Sequence, residues 1–282
     1  MNPPEINTSV FNRLRFVLVE TSRAGNIGAV ARAMKTMGFD DLVLVRPRFA
    51  DALADPEAIA FASGAQDVLA GARIVDDIGA ALEGCNFAAA VSARLREFSP
   101  PVWTPRAFAG HIAAHGAGAD DVNASAGRGV LVTALIFGNE RFGLPNQIVE
   151  QCNVLINIPA NPAYSSLNLA QAAQVMAYEC RVAAEAELDA AQADAPVPGM
   201  ATSAVTTPGM VGFHGDAANL AQIEGMYAHL EQALVAIDFL DPAQPKKLMP
   251  RLKRLFARTQ LETEEVNILR GIANHILKLS KR

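Results

Sequence analysis

Short apolar runs alternate with helix-like segments along the N-terminal part of the chain. RLRFVLVE, DLVLV and GVLVTALIF are each followed by a stretch with helical periodicity. A strand that is apolar at nearly every position, as over 130–137, is typical of a parallel sheet covered by helices on both faces. The alternation therefore predicts an α/β fold with a parallel sheet, in which ligands bind at the carboxyl ends of the strands.

Four loops that follow predicted strands collect polar residues. They read TSRAGN, SARLR, GNERFGL and ANPAYSSLN. Because the carboxyl ends of parallel strands share one edge of a sheet, we expect these loops to surround one ligand site. In the first loop we expect Asn26 to cap the next helix, whose apolar stripe turns Arg32 away from the core. Exposure by itself is ordinary for an arginine.

The second and third loops carry charged residues. Arg94 and Arg96 stand two apart in an extended segment, so we expect them to project to the same side, as a pair that suits a phosphate. A solvated loop explains the same pair equally well. Glu140 is the only acid of the third loop. It either accepts hydrogen bonds from a ligand or faces water, and the spacing does not decide between these.

The fourth loop has more polar groups than a helix start requires. Ser165, Ser166 and Asn168 precede an Ala-rich helical run, although one side chain is enough to cap the free N–H groups. We expect Ser165 or Ser166 to be that cap. The other groups either face water or contribute donors to a binding surface at the helix N-terminus.

The chain is expected to divide into two parts. Residues 189–216 lack an apolar period and are rich in Pro, Gly, Ala and Thr, as is typical of a flexible linker. We predict a first domain over 1–188 and a small helical extension over 217–282. Against a net charge of −5, residues 246–282 carry ten basic and three acidic residues. Such a basic face is usually only solvated, but this excess favours contact with nucleic acid.

Several classes of protein are disfavoured. No apolar run is long enough to span a bilayer and the N-terminal segment does not resemble a secretion signal, so we expect a cytoplasmic protein without membrane contact. The three cysteines are widely spaced, which predicts buried thiols and no metal site. A nicotinamide oxidoreductase is rejected. The glycines after the first strand have the spacing GxxG, and Arg46 stands where an acid would bind a ribose.

Three ordered segments resemble the signature motifs of the SPOUT superfamily of RNA 2′-O-ribose methyltransferases: NIGAVARAMKTMGF, FGNERFGL and IPANPAYSSLNLAQAAQVMAYE. In the tail, MYAHLEQAL, LKRLFART and EVNILRGI resemble the bacterial tRNA (cytidine/uridine-2′-O)-methyltransferases of that superfamily. The resemblance implies a SPOUT fold with a C-terminal trefoil knot, S-adenosylmethionine as methyl donor and a homodimer. It further implies tRNA as partner, methylated at the first nucleotide of the anticodon loop. Ribosomal RNA as substrate, or an RNA-binding protein without catalysis, stays open.

The resemblance also assigns site residues. It implies catalytic importance for Asn26, Arg32, Ser166 and Asn168. Because deprotonating an arginine at neutral pH costs about 7 kcal/mol, we expect Arg32 to stay cationic and hold a phosphate rather than act as a base. The predicted cofactor-binding residues are Val91, Ser92, Ala93, Gly138, Glu140, Ile158, Ser165, Ser166 and Leu167. The predicted RNA-binding residues are Arg94, Arg96, Arg251, Arg254 and Arg258.

Overall fold

The structure is a computed structural model that describes residues 11–49, 51–96, 99–115, 131–193, 218–257, 259 and 261–280. A short 3₁₀ turn at Phe11–Arg13 leads into the first strand. The strands are β1 (Leu14–Val19), β2 (Leu42–Val45), β3 (Arg73–Val75), β4 (Phe87–Val91), β5 (Val102–Trp103), β6 (Thr133–Phe137) and β7 (Val154–Ile156). The helices are α1 (Ala24–Met37), α2 (Pro56–Ala62), α3 (Gln66–Gly71), α4 (Ile78–Ala81), α5 (Pro105–Ala114), α6 (Asn146–Gln151), α7 (Leu169–Ala193), α8 (Leu220–Ala236), α9 (Leu248–Phe256) and α10 (Thr263–Leu279).

The described strands form one parallel sheet in the order β3-β2-β1-β6-β4-β7-β5. Each neighbouring pair runs parallel. Phe16 of β1, for example, lies opposite Leu42 of β2 and Leu135 of β6. The predicted α/β fold with a parallel sheet is confirmed.

Helices cover both faces of this sheet, and its central strands are apolar at nearly every position. In β1, Phe16 and Leu18 face a core shared with α1, α5 and α7, whereas Val17 and Val19 face a second core. The second core includes residues of α4 and α6. Alternate residues of one strand thus pack in two separate cores, as expected of a strand buried on both sides.

The order of the strands reverses beside β1. From there β2 and β3 extend towards one edge, while β6 and β4 lie on the other side. Ligand crevices in such sheets form outside the carboxyl ends of the strands next to this reversal. The loops after β1, β6, β4 and β7 therefore meet at one crevice.

The C-terminal helices form a small unit that docks on the second face of the sheet. Met226, Tyr227 and Val266 belong to its own core. The unit is joined to the sheet domain by Leu220, whose side chain lies in the second core and whose N–H donates to the Cys85 carbonyl over 3.1 Å. Asn219 caps α8 in a capping box with Gln222. The small helical extension predicted from the apolar spacing is present.

The proposed domain boundaries stay predictions. Helix α7 continues to Ala193, past the boundary that we predicted at residue 188. The rest of the predicted linker, 194–216, lies outside the described residues. The trefoil knot implied by the resemblance also stays a prediction. Among the described helices, none combines the length and the apolar character that crossing a membrane requires.

Candidate active site

A cavity of about 460 Å³ opens where the loops after β4, β6 and β7 meet the start of α7. This volume lies within the range of small-molecule sites in proteins. Its walls combine apolar side chains with polar groups. The lining residues are Val91, Ser92, Ala93, Arg94, Phe137, Gly138, Asn139, Glu140, Arg141, Phe142, Gly143, Ile158, Ser165, Ser166, Leu167, Leu169 and Ala172. They include every residue that the sequence predicts to bind the cofactor.

The loop after β6 forms a tight turn in the wall of this cavity. Asn139 and Gly143 form an isolated antiparallel bridge, and Gly143 has a φ of +70°, which favours glycine. A side chain on Gly138 would collide with the backbone of Gly143. Asn139 holds the turn from inside. Its Oδ1 accepts hydrogen bonds from the N–H groups of Arg141 (2.9 Å) and Phe142 (3.2 Å).

Glu140 connects this turn to the start of α1. One carboxylate oxygen accepts hydrogen bonds from the N–H (2.9 Å) and the hydroxyl (2.8 Å) of Ser22. The other accepts from the N–H of Arg23 (3.3 Å) and from Nδ2 of Asn26 (2.8 Å). Burial alone would raise the pKa of Glu140, but the hydrogen bonds from Asn26 and Ser22 outweigh it and hold this pKa below its usual value. Both oxygens of this carboxylate therefore accept hydrogen bonds from the protein itself.

Asn26 and Asn168 continue this hydrogen-bond chain to α7. Nδ2 of Asn168 donates to Oδ1 of Asn26 over 3.0 Å. Oδ1 of Asn168 accepts from the N–H groups of Ala170 (2.9 Å) and Gln171 (3.4 Å). The start of α7, Asn168, Asn26 and Glu140 thus form one continuous series in which each amide has a fixed orientation.

Two capping predictions are wrong. Helix α1 begins at Ala24 with Arg23 as N-cap residue, so Asn26 lies inside the first turn and uses its amide for Glu140 and Asn168. In the fourth loop the cap of α7 is Asn168 instead of Ser165 or Ser166. Within the described part of the chain, the hydroxyls of these two serines make no hydrogen bond while both residues line the cavity. They are the groups available to a ligand.

The two arginines of the second loop differ in burial and in their contacts. Arg94 is exposed and lines the cavity. Arg96 is half-buried and donates from Nη2 to the carbonyl of Leu144, and its own N–H donates to the hydroxyl of Ser99 over 3.0 Å. Burial, together with the charge of Arg94, lowers the pKa of Arg96. The expectation that both arginines project to the same side stays a prediction.

Three further predicted residues within the described part of the chain do not line the cavity. Arg32 is exposed on α1 and is not part of the lining. At 100° per residue, its position is turned about 240° around the helix axis from Asn26. Arg251 and Arg254 are exposed on α9. Arg258 lies outside the described residues.

Two side chains that hold the loops of the site together were not predicted from the sequence. Asn157 follows β7, and its Nδ2 donates to the carbonyls of Ser92 (3.2 Å) and Ala93 (3.4 Å), which ties two cavity loops together. Ser22 supplies two of the donors to Glu140. Both are polar residues just after a strand, and that position was the available signal.

Comparison with known proteins agrees with this geometry. Residues 13–178 match the family model of the SpoU rRNA Methylase family. Residues 221–282 match that of the tRNA methyltransferase TrmJ, C-terminal domain. The sheet domain and the helical unit thus each correspond to a known family.

Whole-chain relatives lead to the same assignment. The tRNA (cytidine/uridine-2′-O-)-methyltransferase TrmJ of Pectobacterium atrosepticum is 40% identical over 272 residues, covering 95% of this chain and 98% of that protein. The protein of that name from Klebsiella pneumoniae is 40% identical over 277 residues, covering 96% and 99%. The crystal structure of TrmJ from Z. mobilis ZM4 superposes with a TM-score of 0.70 at 29% identity, covering 93% and 98%. The chain therefore belongs to the SpoU methylase family and, within it, to the TrmJ proteins. The predicted family is confirmed.

Proposed function

We propose that this protein transfers a methyl group from S-adenosylmethionine to the 2′-oxygen of a cytidine or uridine in tRNA. Relatives at 40% identity over nearly the whole chain carry the name tRNA (cytidine/uridine-2′-O-)-methyltransferase. The observation that carries the proposal is the single cavity that gathers every residue predicted to bind the cofactor together with Arg94. The target is the first nucleotide of the anticodon loop, and the protein works in the cytoplasm.

The cavity fits the cofactor in three respects. Its volume is that of a small-molecule site, its walls include the apolar side chains of Val91, Ile158 and Leu167, and the free hydroxyls of Ser165 and Ser166 face it. At Gly138 the backbone of Gly143 packs so closely that any side chain would collide, which keeps this part of the cavity wall in a tight turn. When bound, S-adenosylmethionine supplies a methyl group activated by its positively charged sulfur.

The chain contributes orientation. The series from Glu140 through Asn26 to Asn168 fixes the start of α7, and with it the position of Ser166 at the cavity. Arg94 lies exposed at the same cavity, where its guanidinium binds an RNA phosphate. Holding the methyl donor and the 2′-hydroxyl in the reactive orientation lowers the activation barrier by about 7–11 kcal/mol. The reaction therefore does not require a side chain with an extreme pKa.

Arg32 acts across a homodimer. It does not line the cavity of its own chain, and its position on α1 is turned away from Asn26. Helix α7 exposes Tyr178 and Val182 one turn apart, an apolar surface that suits a second copy. In such a dimer Arg32 stays cationic and holds a phosphate of the RNA at the partner's cavity, since a guanidinium does not lose its proton in proteins.

The helical unit holds the body of the RNA. Arg251 and Arg254 point into solvent from α9, while Lys253 between them pairs with Glu224 over 3.2 Å. Arg258 is assigned to RNA binding as well, from the sequence pattern alone. Arg96 is also assigned to RNA binding, and its hydrogen bond to the Leu144 carbonyl ties it to the loop that follows β6. Residues 217–282 then act as an RNA-binding extension behind the linker 189–216.

A direct assay decides between tRNA and the alternatives. The purified protein is incubated with S-adenosylmethionine carrying a labelled methyl group and either total tRNA or ribosomal RNA, and the ribose that resists alkaline cleavage is mapped. Label at a cytidine or uridine of the tRNA anticodon loop is expected. Label in ribosomal RNA supports the second candidate, which the name of the SpoU rRNA Methylase family favours. Cofactor binding without transfer to either RNA indicates a non-catalytic RNA-binding protein.

A further inference from the structure

An aromatic ring stands in the open at the mouth of the cavity. Phe142 is 77% exposed and is one of the lining residues. Leu95 (60%) and Tyr164 (81%) are also exposed, and each is next in sequence to a lining residue. Large apolar side chains gain free energy when they leave water, so a group of exposed ones around a cavity indicates a contact with something else.

The backbone under Phe142 is held firmly. Its N–H donates to Oδ1 of Asn139, while Nδ2 of Asn139 donates to the carbonyl of Glu20 over 2.6 Å. The N–H of Gly143 donates to the carbonyl of Asn139 over 2.8 Å, which closes the turn on its other side. The ring is therefore presented by a fixed turn, as a preorganised contact requires.

One face of the ring is already occupied by a cation. The guanidinium carbon of Arg141 lies 5.2 Å from the ring centroid of Phe142. This arrangement leaves the opposite face to solvent and places positive charge beside it. A flat partner that is joined to a phosphate matches both features, since aromatic side chains stack on nucleobases and arginines pair with phosphates.

We propose that Phe142 stacks on the base of the nucleotide whose 2′-hydroxyl is methylated, with Arg141 supporting the ring from behind. This inference rests on the proposed function. The base is joined to the same ribose that must reach the cavity, so an aromatic ring on the cavity wall is placed to meet it. Stacking does not read the hydrogen-bonding edge of a base. A site built in this way accepts cytidine and uridine alike.

The first experiment compares substitutions at Phe142 with a matched control. Phe142→Ala, Phe142→Trp and Phe61→Ala are assayed with tRNA, Phe61 being an exposed phenylalanine of α2 (53%) outside the cavity lining. Phe142→Ala should lower kcat/KM for tRNA by about 5- to 150-fold, which is the range for loss of one stacked base. Phe142→Trp should keep kcat/KM near that of the wild type. Phe61→Ala should change nothing.

The second experiment removes the base instead of the ring. The wild type and Phe142→Ala are compared on an RNA that has an abasic nucleotide at the mapped methylation position. If ring and base stack, the penalty of Phe142→Ala disappears on the abasic RNA, since the interaction is already absent. The same penalty on both RNAs overturns the proposal.

Two further readouts separate competing roles of the ring. The dissociation constant for S-adenosylmethionine and the sedimentation coefficient of the protein should be the same for wild type and Phe142→Ala. Weaker cofactor binding would make Phe142 part of the cofactor site, and a change in oligomeric state would make it a contact between copies; either result overturns the proposal. Failure of the proposed function looks different, because the wild type itself would then transfer no methyl group to tRNA.

Discussion

At the scale of single residues, Glu140 joins parts of the chain that are 118 residues apart in sequence. Its carboxylate gathers Ser22, Arg23 and Asn26, and through Asn26 it reaches Asn168. Each of these contacts needs an acceptor. We therefore propose that Glu140 is a positioning residue, which acts on the cavity through the side chains that it holds in place.

Replacing Glu140 by glutamine tests this role. Glu140→Gln offers one acceptor oxygen and a donor where the structure has two acceptors, so we expect the free energy of unfolding to fall by about 1–3 kcal/mol together with a loss of methyl transfer. Glu231→Gln, at an exposed position of α8, should change neither. Urea unfolding at neutral pH and the transfer assay give the two numbers. An unchanged unfolding free energy would show that the network carries no stability.

The difference in stability between wild type and Glu140→Gln should depend on pH. Since the pKa of Glu140 is lower in the folded state than in the unfolded one, the carboxylate stabilises the protein at neutral pH. That contribution is lost as the pH falls through the folded pKa, which lies below the value of about 4.3 for a free glutamate. The difference in unfolding free energy between wild type and Glu140→Gln should therefore hold between pH 7 and 5 and shrink in more acidic solution.

The two functions of Asn168 can be separated by choice of substitution. Asn168→Asp keeps an oxygen for the N–H groups of Ala170 and Gln171 but loses the donor to Asn26, so stability should be retained while methyl transfer falls. Asn168→Ala loses both, at about 0.5–2 kcal/mol of stability. Thermal unfolding and initial rates measure the two effects. Equal transfer by Asn168→Asp and wild type would show that the link to Asn26 is dispensable.

The predicted cofactor-binding residues all line the cavity, but the sequence did not show what the polar side chains of the site contact. Ser165, Ser166 and Asn168 have similar capping propensity, and the choice among them depends on where the backbone enters the helix. Arg96 was predicted as a partner of RNA phosphate, and in the structure its guanidinium also donates to the carbonyl of Leu144. Such contacts depend on tertiary structure, which spacing along the chain does not contain.

At the scale of elements, the turn after β6 is closed by contacts of its own backbone. It carries Asn139, Glu140 and Phe142, and it closes only because Gly138 and Gly143 lack side chains. The contact between these two glycines could not be predicted from spacing, since it requires the backbone to fold back on itself.

A pair of glycine substitutions with opposite expected signs tests this. Gly138→Ala places a side chain into the backbone of Gly143, which cannot move aside, so we expect lower stability and loss of S-adenosylmethionine binding. Gly110→Ala, in helix α5 with open space around it, should raise stability by about 0.5–1 kcal/mol. Thermal unfolding and cofactor titration measure both. Tight cofactor binding by Gly138→Ala would contradict the close contact.

The existence and type of most elements could be predicted, whereas the order of the strands could not. Segments that are apolar at nearly every position, such as β6, indicated a parallel sheet buried on both faces. That β6 lies between β1 and β4 is decided by long-range packing of cores on the two faces. The position of the ligand crevice follows from this strand order. The sequence therefore predicted that the loops lie along one edge of the sheet, but not where along that edge the crevice forms.

At the scale of the whole molecule, the proposed site combines residues of two chains. Arg32 and Ser166 are both predicted to be important, but only Ser166 lines the cavity of its own chain. The contact of the helical unit with the sheet domain through Leu220 could not be predicted from the sequence either, because the predicted linker leaves the relative position of the two parts open.

Mixing two inactive variants tests the shared site. Arg32→Ala and Ser166→Ala chains should each be inactive, whereas an equal, randomly paired mixture should recover about a quarter of the wild-type activity, since half of the dimers are mixed and each of these has one intact site. Methyl transfer to tRNA is measured before and after subunit exchange. No recovery in a mixture that sedimentation shows to contain dimers would place Arg32 and Ser166 in the same chain's site.

The central claim is that loops from separate parts of the sequence build one cofactor cavity. A crystal structure of the protein with S-adenosylhomocysteine, the cofactor without its methyl group, tests this directly. The account predicts the ligand between Gly138 and Ser166, with Glu140 still bound to Asn26. A ligand bound elsewhere, or a Glu140 carboxylate that has left Asn26 to bind it, would contradict the account.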